Sequence, residues 1–318
     1  MPEYPDVVTL AVPLFVAGIL LEMVIAWRSD RARFELRDSM CSLAMGVGNI
    51  VVGMLIGFVG FGAAMAVYEW TPLRLGTSWP VLVIGLVIDD FRYYWWHRFS
   101  HEIRWMWASH VNHHSSQHYN LTTALRQPWS STLSLGFVVG LPVIALGFHP
   151  ALIVFVGGVN LVYQYWIHTE AIHKMPRWFE FLFNTPSHHR VHHATNPRYL
   201  DANYGGIFIV WDRLFGTFVP ELDEDPCRYG IVKNLGTFNP LRVAFHEWSG
   251  IARDLVRPGL SLKQRLGYAL ARPGWSHDGS RKTSVLLKAD HVRRIPGDAG
   301  QPGLPYIGPE SSSQSPPS

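Results

Sequence analysis

The apolar residues of this chain fall into long runs, without the alternating pattern of surface strands. Residues 7–27 are apolar except for Thr9 and Glu22, and about 21 residues of helix extend over about 30 Å, enough to cross a bilayer. Acidic residues precede this run and no small-residue cleavage site follows it. We therefore interpret it as a membrane span and not as a signal peptide.

Four further apolar runs cover residues 40–68, 79–96, 132–148 and 151–167. Asp89, Asp90 and Arg92 interrupt the third run, which suggests that it reaches the membrane interface near Arg92. His149 and Pro150 separate the last two runs, as in a helical hairpin, because proline ends one helix and can start the next. The pattern predicts an all-α, integral-membrane helical bundle with four to five spans.

The distribution of the basic residues predicts how this bundle is oriented in the membrane. If the N-terminus lies outside and the five runs alternate, Arg74 is the one residue among 27 Lys and Arg that falls on the outer side. Since cytoplasmic loops are enriched in Lys and Arg, this asymmetry predicts that the histidine-rich segments and the C-terminus lie on the cytoplasmic side.

The chain divides into N-terminal transmembrane helices (1–79), a histidine-rich domain (80–220), a cytosolic helical cap (221–295) and a tail (296–318). Residues 207–218 are aromatic and apolar but too short to span, so they are expected to be interfacial or to close the core. Short amphipathic helices are expected in the cap, for instance over residues 260–271. Pro, Gly and Ser dominate the tail, which is expected to be disordered.

Composition narrows the possible chemistry. Charged residues make up 16% of the chain, against about 25% in an ordinary soluble domain, and the net charge of +3 is dispersed, so no nucleic-acid binding is expected. Cys41 and Cys227 form neither a C-x-x-C motif nor a disulfide framework. Any bound metal must therefore be held by nitrogen or oxygen atoms.

The 16 histidines concentrate in motifs with helical spacing. Residues i and i+4 share a helix face, and i, i+3 and i+4 form a patch about one turn long, so each motif directs its imidazoles to one side. One further histidine stands alone at the end of the fifth run. These positions predict a metal site held by His97, His101, His110, His113, His114, His168, His189, His192 and His193.

Nine imidazoles exceed the four ligands of a structural zinc site and imply two ions. Neutral imidazole binds Fe, Zn, Cu and Ni alike, so the ligand type leaves the metal open. Iron is preferred because oxygen activation needs two ions with open positions, and zinc remains the alternative. Carboxylates that orient the imidazoles are expected among Asp89, Asp90, Glu102, Glu170 and Asp201.

The remaining histidines are assigned mainly to structural roles. His173 follows His168 at i+5, off the shared helix face, which leaves its role open. His188 points about a quarter-turn away from His189 and is expected to support the ligands without binding metal. Interfacial or capping roles are expected for His118, His149, His246, His277 and His291.

The motifs H-x-x-x-H, H-x-x-H-H and a later H-x-x-H-H on a membrane scaffold resemble the fatty acid hydroxylase and sterol desaturase superfamily of integral-membrane di-iron enzymes. The resemblance covers about residues 80–220. Within this superfamily, four segments are most similar to the alkylglycerol monooxygenase branch: WHRFSHEIRWMWASHVNHHSSQHYNLTTALRQ, YQYWIHTEAIHK, NTPSHHRVHHATNPRYLDANYGG and WDRLFGTF. We expect the chain to be shorter than the animal members of that branch, with no further span after the last motif.

The resemblance implies an O2-dependent monooxygenase with two Fe ions at the nine histidines. It places Glu102, Asn203 and Tyr204 in the catalytic region, with Glu102 contacting a reduced pterin, tetrahydrobiopterin, as candidate electron donor. The implied substrate is a membrane lipid, foremost an alkylglycerol, whose hydroxylation next to the ether oxygen gives an aldehyde and glycerol. The donor must be external, because the sequence has no cytochrome, ferredoxin or flavin motif.

Two other functions remain open from the sequence. A hydroxylase or desaturase of sterols, carotenoids or fatty acyl chains would use the same metal site with a different pocket. A metal transporter or sensor belongs to another class, but its histidines should line a path near mid-bilayer, whereas these gather at one end of the spans. The sequence does not indicate an oligomeric state.

Overall fold

The computed structural model describes residues 3–29 and 33–306, and within them every regular element is a helix. The all-α prediction is thus confirmed for this part of the chain. The first half contains α1 (Val7–Arg28), α2 (Leu36–Ile56), α3 (Phe58–Trp70), α4 (Trp79–Glu102), α5 (Arg104–His114), α6 (Leu141–Ala145) and α7 (Pro150–Trp166). The second half contains α8 (Arg177–Leu182), α9 (Pro186–His193), α10 (Val210–Phe215), α11 (Pro240–Leu255), α12 (Leu262–Leu270) and α13 (Ser284–Arg294).

Helices α1 and α2 are long enough and apolar enough to cross a membrane. They contain 22 and 21 residues, and many of their apolar side chains have no protein cover, such as Leu14 at 70% exposure and Met54 at 73%. Water would solvate such a continuous apolar surface unfavourably. The two helices therefore fit a lipid environment.

The other apolar runs are less regular than the sequence pattern suggests. The run over residues 40–68 is divided at Gly57 into α2 and α3. Within the run over residues 132–148, Leu135 adopts a positive φ of 59°, and a 3-10 turn over Gly136–Gly140 precedes the short α6. The fifth run forms α7, which begins at Pro150 as the hairpin pattern predicts. The third run lies in α4, which has 24 residues but is more polar. Among the described residues, two helices are therefore both long and apolar enough to cross a membrane, with shorter apolar helices beside them.

A buried carboxylate joins α1 to the loops that carry histidines. Glu22 interrupts the first apolar run, yet it is only 2% exposed. Its carboxylate accepts hydrogen bonds from the Leu121 amide at 2.7 Å and from the Thr169 hydroxyl. The one charged group inside this run therefore has defined polar partners, and it fixes α1 against the residue that follows His168.

Asp90 joins α4 to the chain that follows the last histidine motif. Its carboxylate accepts hydrogen bonds from the amides of Ile207 (2.6 Å) and Phe208 (3.1 Å) and from the indole of Trp211 (2.9 Å). Asn160 of α7 donates a further hydrogen bond at 2.8 Å. Asp90 thus anchors residues 207–211 onto α4, which agrees with the expectation that residues 207–218 close the core.

The C-terminal helices pack on the histidine-bearing part of the chain, mainly through α11 against α5 and α2. Arg104, at the start of α5, is 5% exposed. It donates hydrogen bonds to Glu247 at 2.6 Å and to Asp254 at 2.7 Å, both on α11. Buried charge pairing therefore orients α11 relative to α5.

The prediction of disorder from residue 296 onward is wrong for residues 296–306. Leu304 is 8% exposed, and Arg198 donates a hydrogen bond to Gln301 at 2.8 Å and pairs with Asp298 at 3.4 Å. The Pro- and Gly-rich composition here forms tight turns that place these groups against Arg198. The rest of the predicted tail, residues 307–318, lies outside the described residues.

A buried ion pair between Asp38 of α2 and Arg126 provides a test of the fold. The two side chains are 2% and 1% exposed, so replacing Arg126 with Met leaves a buried carboxylate without its counter-ion. Such a change costs about 3–5 kcal/mol. We expect Arg126→Met to lower the thermal midpoint of the purified protein by about 6 °C or more.

Arg293→Met serves as the matched control, because the Arg293–Asp290 pair is exposed, with 56% of the arginine side chain accessible. Exposed pairs contribute roughly 0–1 kcal/mol, so this variant should keep a nearly unchanged midpoint. Equal midpoints for the two variants would contradict the structural role of Arg126.

Candidate metal centre

Three helix segments present the histidine motifs. His97 and His101 lie in the last turns of α4, the second motif ends α5, and the third ends α9. Helix α9 is short, but it starts with Pro186 in its first turn and Thr185 as N-cap, both of which favour helix initiation. The motifs therefore have the helical spacing that the sequence predicts.

The nine histidines of the predicted site lie in two buried groups. Within each group the candidate ligand nitrogens lie within 4.8 Å of one another. Two nitrogens on opposite sides of one ion, each about 2.1 Å from it, would be about 4.2 Å apart, so each group has the dimensions of one metal site. The five-histidine group contains His97, His101, His110, His114 and His192, and the four-histidine group contains His113, His168, His189 and His193.

Each H-x-x-H-H motif contributes to both groups. On α5, His110 and His114 at i and i+4 belong to the five-histidine group and His113 to the four-histidine group. Helix α9 makes the opposite division, with His192 in the five-histidine group. One turn of each helix thus lies between the two groups and supplies donors to both.

Backbone carbonyls fix the orientation of three imidazoles. The Nδ1 atoms of His97, His192 and His168 lie 2.8, 2.9 and 2.7 Å from the carbonyl oxygens of Tyr204, Ala202 and Gln164. A carbonyl can only accept, so Nδ1 carries the proton and donates it. The Nε2 atom of each ring therefore keeps a free lone pair directed into its group.

The inward nitrogens of the described histidines face one another or have no partner. The Nε2 atoms of His97 and His110 are 2.9 Å apart, and those of His168 and His113 are 3.1 Å apart. Among the described residues, no hydrogen-bond partner meets the buried Nε2 atoms of His101, His192 and His193. A shared cation would satisfy these lone pairs, so the donor set fits two metal ions.

Burial also selects the protonation state that binds metal. Desolvation is the largest cause that lowers the pKa of His168 to about 4, and it holds the pKa values of several other ring nitrogens well below 6.5. These imidazoles are therefore neutral at pH 7, the form in which nitrogen donates to a metal. The other groups in this set are His113, His114, His192 and His193.

Among the five carboxylates expected to support the imidazoles, Asp201 lies closest to one. Its Oδ1 atom is 3.7 Å from His101 Nδ1, and its other oxygen contacts Arg272 at 3.4 Å and the Ser284 hydroxyl. The other four have different partners: Asp89 pairs with Arg92, Asp90 binds residues 207–211, Glu102 pairs with Arg98 and Arg272, and Glu170 accepts from Tyr229. Backbone carbonyl oxygens therefore orient most of the imidazoles whose partners are known, whereas the sequence predicts carboxylates in this role.

The three residues placed in the catalytic region have distinct environments. Glu102 is partly exposed and lies 2.9 Å from Arg272 and 3.2 Å from Arg98. Asn203 is fully buried with φ of 57°, and its side chain bonds to the backbone of His188 and Val219. Tyr204 is also fully buried, and its ring centroid lies 5.4 Å from that of His101. Tyr204 is thus beside the five-histidine group, Asn203 shapes the adjoining loop, and Glu102 lies in a charge network.

Sequence reasoning missed two residues that hold the site. The carboxylate of Asp212 accepts hydrogen bonds from the amides of Tyr204 and Gly205, each at 2.7 Å, and so closes the loop after the last motif. Tyr119 stacks on His168 with ring centroids 5.8 Å apart, and its hydroxyl donates to the Ile167 carbonyl at 3.0 Å. Asp212 lies in the segment WDRLFGTF, which is the signal that could have identified it.

The remaining histidines lie outside both groups. His188 is buried, and its nearest carboxylate is Glu180 at 4.0 Å, while His173 is exposed. His149 caps α7, and His246 bonds to a carbonyl of its own helix. The others contact neighbouring polar groups: His118 near Asp38, His277 with Tyr268 and His291 with Asp298.

Two cavities approach the histidine groups. A cavity of about 200 Å³ reaches His110 and is lined by Gly57 and Gly60 from the junction of α2 and α3, by Trp96 and by Phe137. A larger, polar cavity of about 610 Å³ is lined by Tyr119, whose ring also packs against His168 and His193 of the four-histidine group. The smaller cavity thus reaches the five-histidine group, whereas Tyr119 lies between the larger cavity and the four-histidine group.

Apolar helices of spanning length and two buried histidine groups, which the described residues combine, are typical of a membrane-associated protein that binds metal through histidine. Residues 82–217 match the sequence model of the fatty acid hydroxylase family, and this range contains all nine histidines. The histidine-bearing part of the chain is therefore similar to the fatty acid hydroxylase family, as the histidine motifs predict.

Comparisons over a longer range confirm the resemblance to one branch of the family. The chain is 37% identical over 288 residues to an alkylglycerol monooxygenase of Xenopus tropicalis and 36% identical over 286 residues to that of Homo sapiens. Each match covers 86% of this chain and 60% or 61% of the relative, so the chain spans about three fifths of the length of these curated relatives. It is also 30% identical over 144 residues to an ornithine lipid hydroxylase of Rhizobium tropici, covering 44% of this chain and 43% of that protein. No solved structure matches the chain significantly.

The division into two groups predicts a selective loss of metal. His113→Ala removes one of four donors from its group and none from the other, so we expect bound metal to fall by about one ion per chain. Elemental analysis of the purified protein measures this. His246→Ala is the matched control, because His246 bonds to the Val243 carbonyl outside both groups, and it should leave the metal content unchanged. Equal metal content in the two variants would contradict the grouping.

The buried Tyr204 hydroxyl predicts a stability-neutral substitution. This hydroxyl has no hydrogen-bond partner among the described residues, so Tyr204→Phe loses no bond and should change the free energy of unfolding by less than about 0.5 kcal/mol. Tyr199→Phe is the contrast, since the Tyr199 hydroxyl donates to the Asp225 carbonyl at 2.9 Å and accepts from the Leu222 amide at 3.0 Å. We expect it to cost about 1 kcal/mol or more in thermal unfolding.

Proposed function

We propose that this protein is an integral-membrane di-iron monooxygenase that hydroxylates a lipid C–H bond, namely the carbon next to the ether oxygen of an alkylglycerol. The observation that carries the proposal is the pair of buried histidine groups beside a cavity that begins among apolar helices. Similarity to alkylglycerol monooxygenases over 86% of the chain supports this substrate class. The nine histidines are the proposed metal ligands.

Iron is the metal we propose for both groups. The nine donors are neutral nitrogens, which bind several transition metals, so the preference comes from redox chemistry and from the family. When bound, two iron ions would supply the reduction of dioxygen that drives oxidation of the C–H bond. The protein supplies ligand geometry, substrate orientation and exclusion of water.

The apolar cavity supports entry of the substrate from the membrane. Its volume of about 200 Å³ corresponds to about seven water molecules at about 30 Å³ each, enough for a segment of an alkyl chain. Gly57 and Gly60 lie where α2 ends and α3 begins, beside exposed apolar side chains. A chain entering there would bring one of its carbons towards His110.

The proposed reaction balances with an external reductant. One oxygen atom of O2 enters the C–H bond next to the ether oxygen, and the other leaves as water after uptake of two electrons and two protons. The resulting hemiacetal breaks its bond between that carbon and the ether oxygen. The hydroxyl proton moves to the departing glycerol oxygen, and the products are an aldehyde and glycerol.

A reduced pterin, tetrahydrobiopterin, is the proposed source of these electrons, with Glu102 as its contact. The Glu102 side chain is 21% exposed and pairs with Arg98 and Arg272, so its carboxylate is reachable from the surface. Tyr204 and Asn203 are proposed to act close to the substrate, Tyr204 through its hydroxyl beside the five-histidine group and Asn203 by holding the loop. Both are fully buried.

We further propose that the helices cross the membrane four to five times with the histidine side facing the cytoplasm. Two helices that are long and apolar enough to cross a membrane, and the shorter apolar helices beside them, support a multi-pass arrangement. The location of nearly all Lys and Arg on one side of the alternating pattern supports this orientation.

Hydroxylation of another lipid is the alternative within the same chemistry. Similarity to an ornithine lipid hydroxylase and to a cholesterol 25-hydroxylase-like protein of Danio rerio favours it, although those matches cover less than half of this chain. Purified membranes supplied with labelled alkylglycerol, with and without tetrahydrobiopterin, distinguish the two. Release of aldehyde supports ether cleavage, whereas its absence under both conditions contradicts it. Metal that exchanges freely and crosses the membrane would instead indicate a transporter.

Filling the apolar cavity tests whether the substrate uses it. Ser109 lines the cavity next to His110 and is 4% exposed. We expect Ser109→Leu to lower kcat/KM for long-chain alkylglycerols by about tenfold or more, equivalent to about 1.4 kcal/mol, with metal content retained.

Ser109→Ala is the volume control, because it removes a hydroxyl that has no partner among the described residues and adds no bulk. It should retain activity within about twofold. Equal activity of the Leu and Ala variants on all chain lengths would rule out this cavity as the substrate path.

A further inference from the structure

Helix α11 exposes an apolar stripe on the side opposite to its packing face. At 100° per residue, positions 241, 245, 252 and 256 fall within about 60° of one another. Leu241, Phe245 and Val256 are 62%, 41% and 78% exposed. The packing face contains Val243 and Ile251, which are 1% and 2% exposed. The exposed stripe is therefore not left over from incomplete packing of a core face.

Helix α12, which packs against α11, has a stripe of the same kind. Leu262, Leu266 and Leu270 recur every fourth residue and are 73%, 51% and 55% exposed. Tyr268 and Ala269 face the protein at 0% and 8% exposure. Two neighbouring amphipathic helices thus direct leucine-rich faces away from the protein.

The charges around these stripes have one sign. Glu247 and Asp254 are the acidic residues of this segment, and both pair with Arg104 of α5. The exposed charged residues Arg242, Arg253 and Lys263 carry positive charge beside the stripes. Basic residues that flank an exposed apolar helix face complement a surface of anionic lipid headgroups.

The stripe on α11 also continues the apolar surface of a span-length helix. Val243 and Ala244 pack against Cys41 and Met45 of α2. Phe245 lies with its ring centroid 6.4 Å from that of Trp129, whose indole donates to the Met45 carbonyl at 2.9 Å. On α2 itself, Val47 and Ile50 are 62% and 61% exposed. Lipid that covers α2 would therefore meet Phe245 next.

We propose that α11 and α12 lie in the plane of the membrane surface, with their apolar stripes in the boundary between headgroups and acyl chains and their basic residues on anionic phospholipid headgroups. The C-terminal segment is then a part of the membrane-embedded body, in contrast to the cytosolic cap that the sequence predicts. This inference is independent of the proposed reaction, because none of these residues lies in the histidine groups or the cavities.

A fluorescent probe at Leu266 tests the position of the stripe in the full-length protein. Bimane is attached to Leu266→Cys in a Cys227→Ser background, and the protein is placed in phosphatidylcholine vesicles that contain phosphatidylglycerol. Brominated acyl chains should quench this probe, and aqueous iodide should reach it several-fold less than a probe at Lys282→Cys, whose lysine side chain is 55% exposed and lies outside the stripes.

Three outcomes would overturn the proposal. Equal iodide access at the two positions means that water covers the stripe. A second copy of the chain covers the stripe if the probe is protected from iodide but not quenched by brominated lipid, and if this protection increases with protein density in the vesicle. The third outcome concerns the headgroups. If quenching is the same with and without phosphatidylglycerol, and is also unchanged when Arg242, Arg253 and Lys263 are all replaced by Gln, anionic headgroups are excluded as the partner.

Discussion

The buried nitrogen lone pairs of the two histidine groups impose the constraint on which the rest of this structure depends. Carbonyl acceptors at Nδ1 of His97, His168 and His192 force the protons of these rings outward. Inward Nε2 atoms then lie about 3 Å from a second Nε2 atom, so that either one imidazole donates its N–H to the other or a cation lies between their lone pairs. The surrounding elements hold these nitrogens together in two compact groups, which is the arrangement that a shared cation would require.

The loop after the last histidine motif does much of this work through its backbone. The carbonyls of Ala202 and Tyr204 orient one imidazole from α9 and one from α4. Asp212 in turn holds the amides of Tyr204 and Gly205, and Asp90 holds the amides that follow. These carboxylates thus support the histidines indirectly, by holding the backbone of the loop, whereas the sequence predicts carboxylates that orient the imidazoles themselves.

Polar and apolar side chains lie in different environments for a simple physical reason. The histidines and their supporting polar groups are enclosed, because neutral donors and paired charges tolerate a dry interior. Apolar side chains of α1, α2, α11 and α12 are instead turned outward, where water would be unfavourable and lipid would not. In the proposed arrangement the membrane replaces the large hydrophobic core that a soluble protein of this size would need.

The sequence by itself determined the helical class, the apolar character of α1 and α2 and the common direction of the imidazoles within each histidine motif, because each depends on spacing within one helix. Tertiary structure alone decided that His113 and His110 belong to different groups, that Asp212 and Tyr119 hold the site, and that residues 296–306 pack against Arg198. The contacts that decide these features join distant parts of the chain: His97 meets Tyr204, and Arg198 meets Asp298. Local periodicity carries no information about such pairings, since it specifies which face a residue occupies but not what that face meets.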